Sequence, residues 1–172
     1  MEEEKSIASE VAAAGYDAAD MPFDFIGAST QTALVCEADP EVKGKIIQAL
    51  KGMDYHVTEP ASGREALKNM RFHVYDLVIV NENFDAADDQ SSNEVLNYLK
   101  NLAAATRRNI FVALLSDSYR TMDNMMAFNK SVNLVINKKN IDDFAAIIQR
   151  GLDDNRAFYN VFRDTLKKMG RV

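Results

Sequence analysis

Tyr75-Asp76-Leu77-Val78-Ile79-Val80-Asn81 is an apolar run closed by an amide. Its four consecutive aliphatic residues lack polar alternation, which marks a strand buried on both faces. Working outward, the same signature recurs. Ala33 to Cys36, Tyr55 to Thr58, Ile110 to Leu115 and Leu134-Val135-Ile136 read as further short strands. Helical patterns separate them. Asp39-Pro40-Glu41 opens a helix to about Met53, with proline near its first turn and Val42, Ile46, Ile47 and Leu50 inward. Ser62-Gly63-Arg64-Glu65 starts a second, burying Ala66, Leu67 and Met70. Asn93 to Leu102, Met122 to Asn129 and the chain from Ile141 onward are also predicted helices.

Buried strands separated by helices predict a parallel sheet covered on both faces. Five such units give an α/β, flavodoxin-like doubly wound layout with strand order 2-1-3-4-5. In that layout function gathers at the carboxyl ends of the strands. Those positions are Glu37, Ala38 and Asp39 after the first strand, Asn81 after the third, Ser116 after the fourth, and Asn137 and Lys138 after the fifth.

Composition narrows the function classes. The chain has 172 residues and 47% hydrophobic residues, enough for one domain with extensions. The net charge of -6 is uneven: residues 1–31 hold seven acids and one lysine, whereas residues 32–172 hold 19 acids and 19 bases. The acidity thus belongs to a leader, and no basic stripe points to nucleic acid. No apolar stretch is long enough to span a membrane, and Met1-Glu2-Glu3-Glu4 has the wrong sign for a secretory signal, so a cytoplasmic location is expected. The single cysteine, Cys36, reads as a buried apolar residue. His56 and His73 stand apart without metal-ligand spacing, and no nucleophile triad or phosphate-cradling glycine loop is present. No cofactor or metal is expected, and no enzymatic activity.

Three segments divide the chain: a leader over 1–31, a body over 32–150 and a helical extension over 151–172. Within the leader, Ser6 to Ala14 suits a short helix, and Met21 to Ile26 reads either as docking two aromatics on the body or as part of a mobile leader. Gly151, Asp153, Asp154 and Asn155 suggest a kink or a second helix start. The apolar stripe Ile141, Phe144, Ile147, Ile148 and Leu152 then continues through Phe158, Tyr159, Phe162, Leu166 and Met169. Such a helix needs a surface to pack on, so Tyr159, Phe162 and Leu166 are interface candidates, with a homodimer as the first arrangement. Met122, Met125 and Met126 are a second adaptable face, although their spacing also fits a buried stripe, with Phe128 expected in the core. Asp85, Asp88 and Asp89 form an acidic loop cluster, read as solvated and alternatively as a cation site.

The five strand ends resemble those of a bacterial response-regulator receiver domain, over residues 32–150. Leu34-Val35-Cys36-Glu37-Ala38-Asp39-Pro40 is similar to the family's first strand and acidic cluster. Tyr55 to Leu67 resembles its second strand and following helix start, and Tyr75 to Asn81 its third strand. The departures fall on the family's active site. The resemblance implies that the magnesium-holding acid pair has become Glu37 and Ala38, and the phosphoacceptor aspartate has become Asn81. Ser116 keeps the family's hydroxyl, but Asp117 follows it. One register places Asn137 at the family's lysine, and a one-residue shift restores Lys138. The switch aromatic has become Leu134 or Val135.

An amide is a poor nucleophile and adds no charge for a cation. The resemblance therefore implies a pseudo-receiver: a protein-interaction module of two-component signalling with a signalling protein as partner. Two alternatives stay open. One is a phosphoryl-accepting receiver using Asp39, Asp85 or Asp88. The other is a small-ligand sensor at the strand ends, with Asn81 and Ser116 as donors.

Overall fold

The computed structural model describes residues 30–85 and 93–171. The leader features and the acids Asp88 and Asp89 lie outside those residues. Five strands form one parallel sheet: β1 (Thr32–Cys36), β2 (His56–Thr58), β3 (Leu77–Asn81), β4 (Phe111–Ser116) and β5 (Leu134–Asn137). Their order is β2-β1-β3-β4-β5, as the sequence pattern predicts. The register pairs Asn81 with Leu115, and Ser116 with Asn137, so the ends of the three strands β3 to β5 form one continuous edge.

The helices are α1 (Pro40–Gly52), α2 (Gly63–Phe72), α3 (Glu94–Asn101), the short α4 (Ala104–Arg107), α5 (Asn124–Lys130) and α6 (Phe144–Lys168), with a 3₁₀ turn at Lys138–Asp143 before the last. Side chains alternate across the sheet. Leu34, Cys36, Val78, Val80, Val112 and Leu114 pack under α2, α3 and α5. Ala33, Val35, Leu77, Ile79, Ala113 and Leu115 pack under α1 and α6 with Ile46, Leu50, Phe144 and Ile148. Cys36 is fully buried, and burial pushes its thiol far above its ordinary value, leaving it unreactive.

Local chemistry fixes the helix starts. Asp39 caps α1, accepting from the Glu41 and Val42 amides, with Pro40 at the first helical position. Ser62 caps α2 through the Glu65 amide, while Glu65 reaches back to the Ala61 amide.

Three expectations are corrected. The sequence predicts a break at Gly151, but α6 is one helix of 25 residues. The glycine serves close packing: a Cβ there would lie 3.0 Å from Leu134 and Phe111. The helix expected from Met122 begins at Asn124, because Asp123 caps it through the Met126 amide while Met122 adopts a positive φ of 61° and donates its amide to Val135. The stripe therefore falls apart. Met122 packs on the α1/α6 side, Met126 on the opposite side, and Met125 faces outward. Phe128, expected in the core, is 82% exposed, and Ala127 is the buried residue of α5. The short helix α4 has no counterpart in the sequence reading.

Candidate functional site

The strand ends bring Glu37, Asn81, Ser116, Asn137 and Lys138 together at one edge of the sheet, and they bond to one another or through shared neighbours. Glu37 is 2% exposed and Asn81 6%. The Asn81 amide nitrogen donates to both Glu37 oxygens, at 3.0 Å and 2.8 Å. The Asp39 backbone amide donates to the same carboxylate at 2.9 Å, and the Asn83 amide donates to the Asn81 side-chain oxygen at 2.9 Å. A buried carboxylate requires donors, and an asparagine at position 81 supplies one where an aspartate would supply a second negative charge. Ala38 is exposed and carries no oxygen to add.

A second arrangement centres on Ser116, which is fully buried. Its hydroxyl donates to Glu82 Oε1 at 2.6 Å, and the Asp117 amide donates to the same oxygen at 3.0 Å. The hydroxyl oxygen accepts from the Ser118 and Tyr119 amides. Glu82 therefore plugs the gap between the ends of β3 and β4 with its own carboxylate. The sequence reading passed over Glu82. The available signal was an acid directly after a strand-end amide, on the side facing the next strand.

Asn93, the residue that caps the start of α3, also bonds to the site. Its side-chain nitrogen donates to the Asn81 backbone oxygen at 2.9 Å, while its oxygen caps α3 at the Leu96 amide. At the other side Asn137 is the last residue of β5 and lies opposite Ser116. Its amide nitrogen donates to the Tyr119 and Asp117 backbone oxygens, so it fastens the loop after β4. Lys138 follows the strand, and its ammonium group meets Asp117 at 2.7 Å. The hydrogen bond to Asp117 raises its pKa, and the charges of Asp117, Glu37 and Asp39 add to this. A cation thus stands at the site's rim, one position beyond the strand end. Asn137 thus ends the strand, and Lys138 turns toward Asp117.

Of the alternative acids, the two among the described residues, Asp39 and Asp85, are engaged at helix starts. Asp39 caps α1, and Asp85, with a φ of 55°, accepts from the Gly63 amide at 2.7 Å at the start of α2. Among the described residues no group of three His, Cys, Asp or Glu side chains is placed to hold a metal ion. No helix among them is long and apolar enough to cross a membrane.

The interface candidates separate into two groups. Met125 and Phe128 are exposed one turn apart on α5, and Met122 and Met126 are half-buried. On α6, Tyr159 and Leu166 are half-buried and Phe162 is 38% exposed, whereas Phe158, Val161 and Met169 project outward. Phe158 and Met169 of the apolar stripe are thus more exposed than the candidates Tyr159, Phe162 and Leu166.

No protein-family model matches the chain. No curated protein matches it significantly. Solved structures do. The chemotaxis response regulator CheY4 of Vibrio cholerae is similar over 72% of this chain and 99% of its own, at 14% identity and a TM-score of 0.54. A CheY-like response regulator receiver domain protein from Methanospirillum hungatei is similar over 75% and 98%, at 18% identity and 0.56. A sensor protein from Polaromonas is similar over 73% and 98%, at 22% identity and 0.54. With the strand order and helix layers above, these matches identify the fold: the chain folds as a response-regulator receiver domain, carried on into a long C-terminal helix.

Proposed function

We propose that the chain is a pseudo-receiver: a non-enzymatic interaction module of signal transduction that is not phosphorylated at the end of β3. The observation that carries this reading is the bond between Asn81 and Glu37. The position expected to attack phosphorus is an amide, and it is spent on neutralising the need of a buried carboxylate for donors. The Glu82 carboxylate supports it, because it already takes the Ser116 hydroxyl and the Asp117 amide. The same engagement weighs against a small-ligand sensor that uses Asn81 and Ser116 as donors. The engagement of Asp39 and Asp85 at helix starts weighs against a relocated phosphoacceptor.

The module works through its surfaces. Met125 and Phe128 on α5, and Phe158, Val161 and Phe162 on α6, are large apolar side chains left to solvent. Such groups serve association with a protein partner. Homodimerisation through α6 is the form to test alongside a different partner.

The experiment is thermal melting with magnesium and beryllofluoride, a phosphoryl mimic, with Asn81→Asp as control. The wild type is expected to show no saturable shift. A saturable shift in the wild type overturns the pseudo-receiver reading.

A further inference from the structure

The buried residues of α6 are Phe144, Ile148 and Leu152, all in its first half. The distal half instead lines a groove with the short helix α4, of about 360 Å³, whose apolar lining is Ala105, Tyr159, Phe162 and Leu166. Tyr159 and Phe162 pack edge to face at 6.3 Å. Tyr159, Phe162, Arg163, Leu166 and Lys167 share one face of α6 over two turns, about 12 Å of its length. A second cavity, of about 470 Å³, adjoins the first and shares Arg108 and Tyr159 with it. The two together make an elongated groove.

Its charge has one sign. The described residues lining the two cavities include Lys100, Arg107, Arg108, Arg163 and Lys167, and no Asp or Glu. Arg107 is spent on the Ile110 and Ser131 backbone oxygens and the Asn133 side chain. The other four enter no salt bridge among the described residues. The Arg108 guanidinium lies 4.7 Å from the centre of the Phe162 ring, which sets a cation directly beside the apolar floor. Residues 32–172 hold 19 acids and 19 bases, so this excess of cations is local.

Charge and extent select the occupant. The same groove on a second copy, the contact a twofold dimer makes, would bring like charge to like. A small anion would fill a cavity and leave Phe158, Val161 and Met169 bare; these lie outside the cavity linings and are 78%, 76% and 59% exposed. A flat lipid surface would reach those side chains but not the floor between two helices. An apolar helix face edged with carboxylates meets all three demands: it enters the groove, covers the flanking side chains and neutralises the rim.

We propose that the groove between α4 and the distal half of α6 receives an acidic amphipathic helix of a different protein, with its apolar side chains on Tyr159, Phe162 and Leu166 and its carboxylates against Arg108, Arg163 and Lys167. This occupant rests on the reading of the chain as an interaction module, and not on whether the strand-end site accepts phosphate.

Two designed helical peptides test it. Both carry leucine and phenylalanine at i, i+3, i+4 and i+7; one is flanked by glutamates and the other by lysines. Each is titrated with the full chain by fluorescence anisotropy, and the contact is mapped by amide chemical shifts. The glutamate peptide is expected to bind at least about tenfold more tightly than the lysine peptide, as two or more exposed ion pairs turned to repulsion imply, and to shift the amides of α4 and of Tyr159 to Lys167. Arg163→Glu/Lys167→Glu is expected to reverse the preference, with unchanged sheet amides showing that the fold is kept. Equal affinity for the two peptides, or no binding of either, overturns the proposal. So does a preference that survives the double variant. Shifts of the same amides on raising the protein concentration alone, or on adding phosphatidylcholine vesicles containing phosphatidylglycerol, also overturn it, in favour of a second copy or a lipid surface. Glutamate-peptide binding that maps to Met125 and Phe128 on α5 overturns the groove but leaves the interaction module standing. A beryllofluoride shift in the wild type with groove binding intact overturns the pseudo-receiver reading and leaves the groove.

Discussion

Replacing Asn81 by aspartate tests how the strand-end site is held together. In the wild type the Asn81 nitrogen lies 3.0 Å and 2.8 Å from the two Glu37 oxygens, and both residues are almost wholly buried. Asn81→Asp sets an oxygen where that nitrogen was. Two full charges about 3 Å apart repel by about 5 kcal/mol at an effective dielectric constant of about 20. The pair escapes by binding one proton, which at pH 7 costs about 4 kcal/mol, at about 1.4 kcal/mol for each unit above the ordinary carboxyl range. The cheaper route governs, and the shared proton returns part of its cost as a hydrogen bond. The variant is therefore expected to lose about 2 to 4 kcal/mol, or about 5 to 15 °C in melting temperature for a domain of this size. Acid reduces the loss, since protonation becomes cheaper by about 1.4 kcal/mol per pH unit. Magnesium also reduces it, because the variant presents carboxylates at positions 37, 39 and 81 to a hard cation. The assay is urea unfolding of both proteins at pH 7 and pH 5, in EDTA and in magnesium. A variant as stable as the wild type at pH 7 in EDTA would refute the reasoning, as would a gap indifferent to pH.

Two further outcomes follow from the same structure. Ser116→Ala strips the Glu82 carboxylate of a donor and the Ser118 and Tyr119 amides of an acceptor, so a loss of about 1 to 3 kcal/mol in urea unfolding is expected; a neutral result would mean that Glu82 does not occupy this gap. His73 is held below its ordinary pKa by burial, partly offset by Asp76, so the unfolded chain takes up a proton before the folded one does. Its contribution is full above pH of about 6.5 and is lost as the pH falls from there toward the folded value. The unfolding midpoint of the wild type is expected to drop more steeply over this window than that of His73→Gln, and parallel curves would remove His73 as the cause.

The layered fold was legible because burial on both sides of a parallel strand leaves its mark in consecutive residues. Leu77-Val78-Ile79-Val80 can be read without any partner, and so can the caps Asp39 and Ser62, whose bonds close within a few residues. The strand order followed from repetition of the unit. Asn81 stood out because its position is set by the strand that precedes it. Glu82 did not, since its meaning rests on Ser116 and Asp117, 34 and 35 residues away. Gly151 misled for a similar reason. A glycine in a helix reads as a weakness until Phe111 and Leu134 are seen to leave no room for a side chain. The methionines of α5 misled because a local cap at Asp123 moved the helix start, and Met122 fell outside the period. The sequence by itself determined the α/β layers and the amide that ends β3, because local periodicity and short-range capping write these into neighbouring residues. Only the tertiary structure decided what the site became, a buried carboxylate held by an amide beside a second one plugging the next strand end, because those bonds join residues that meet only once the sheet has formed.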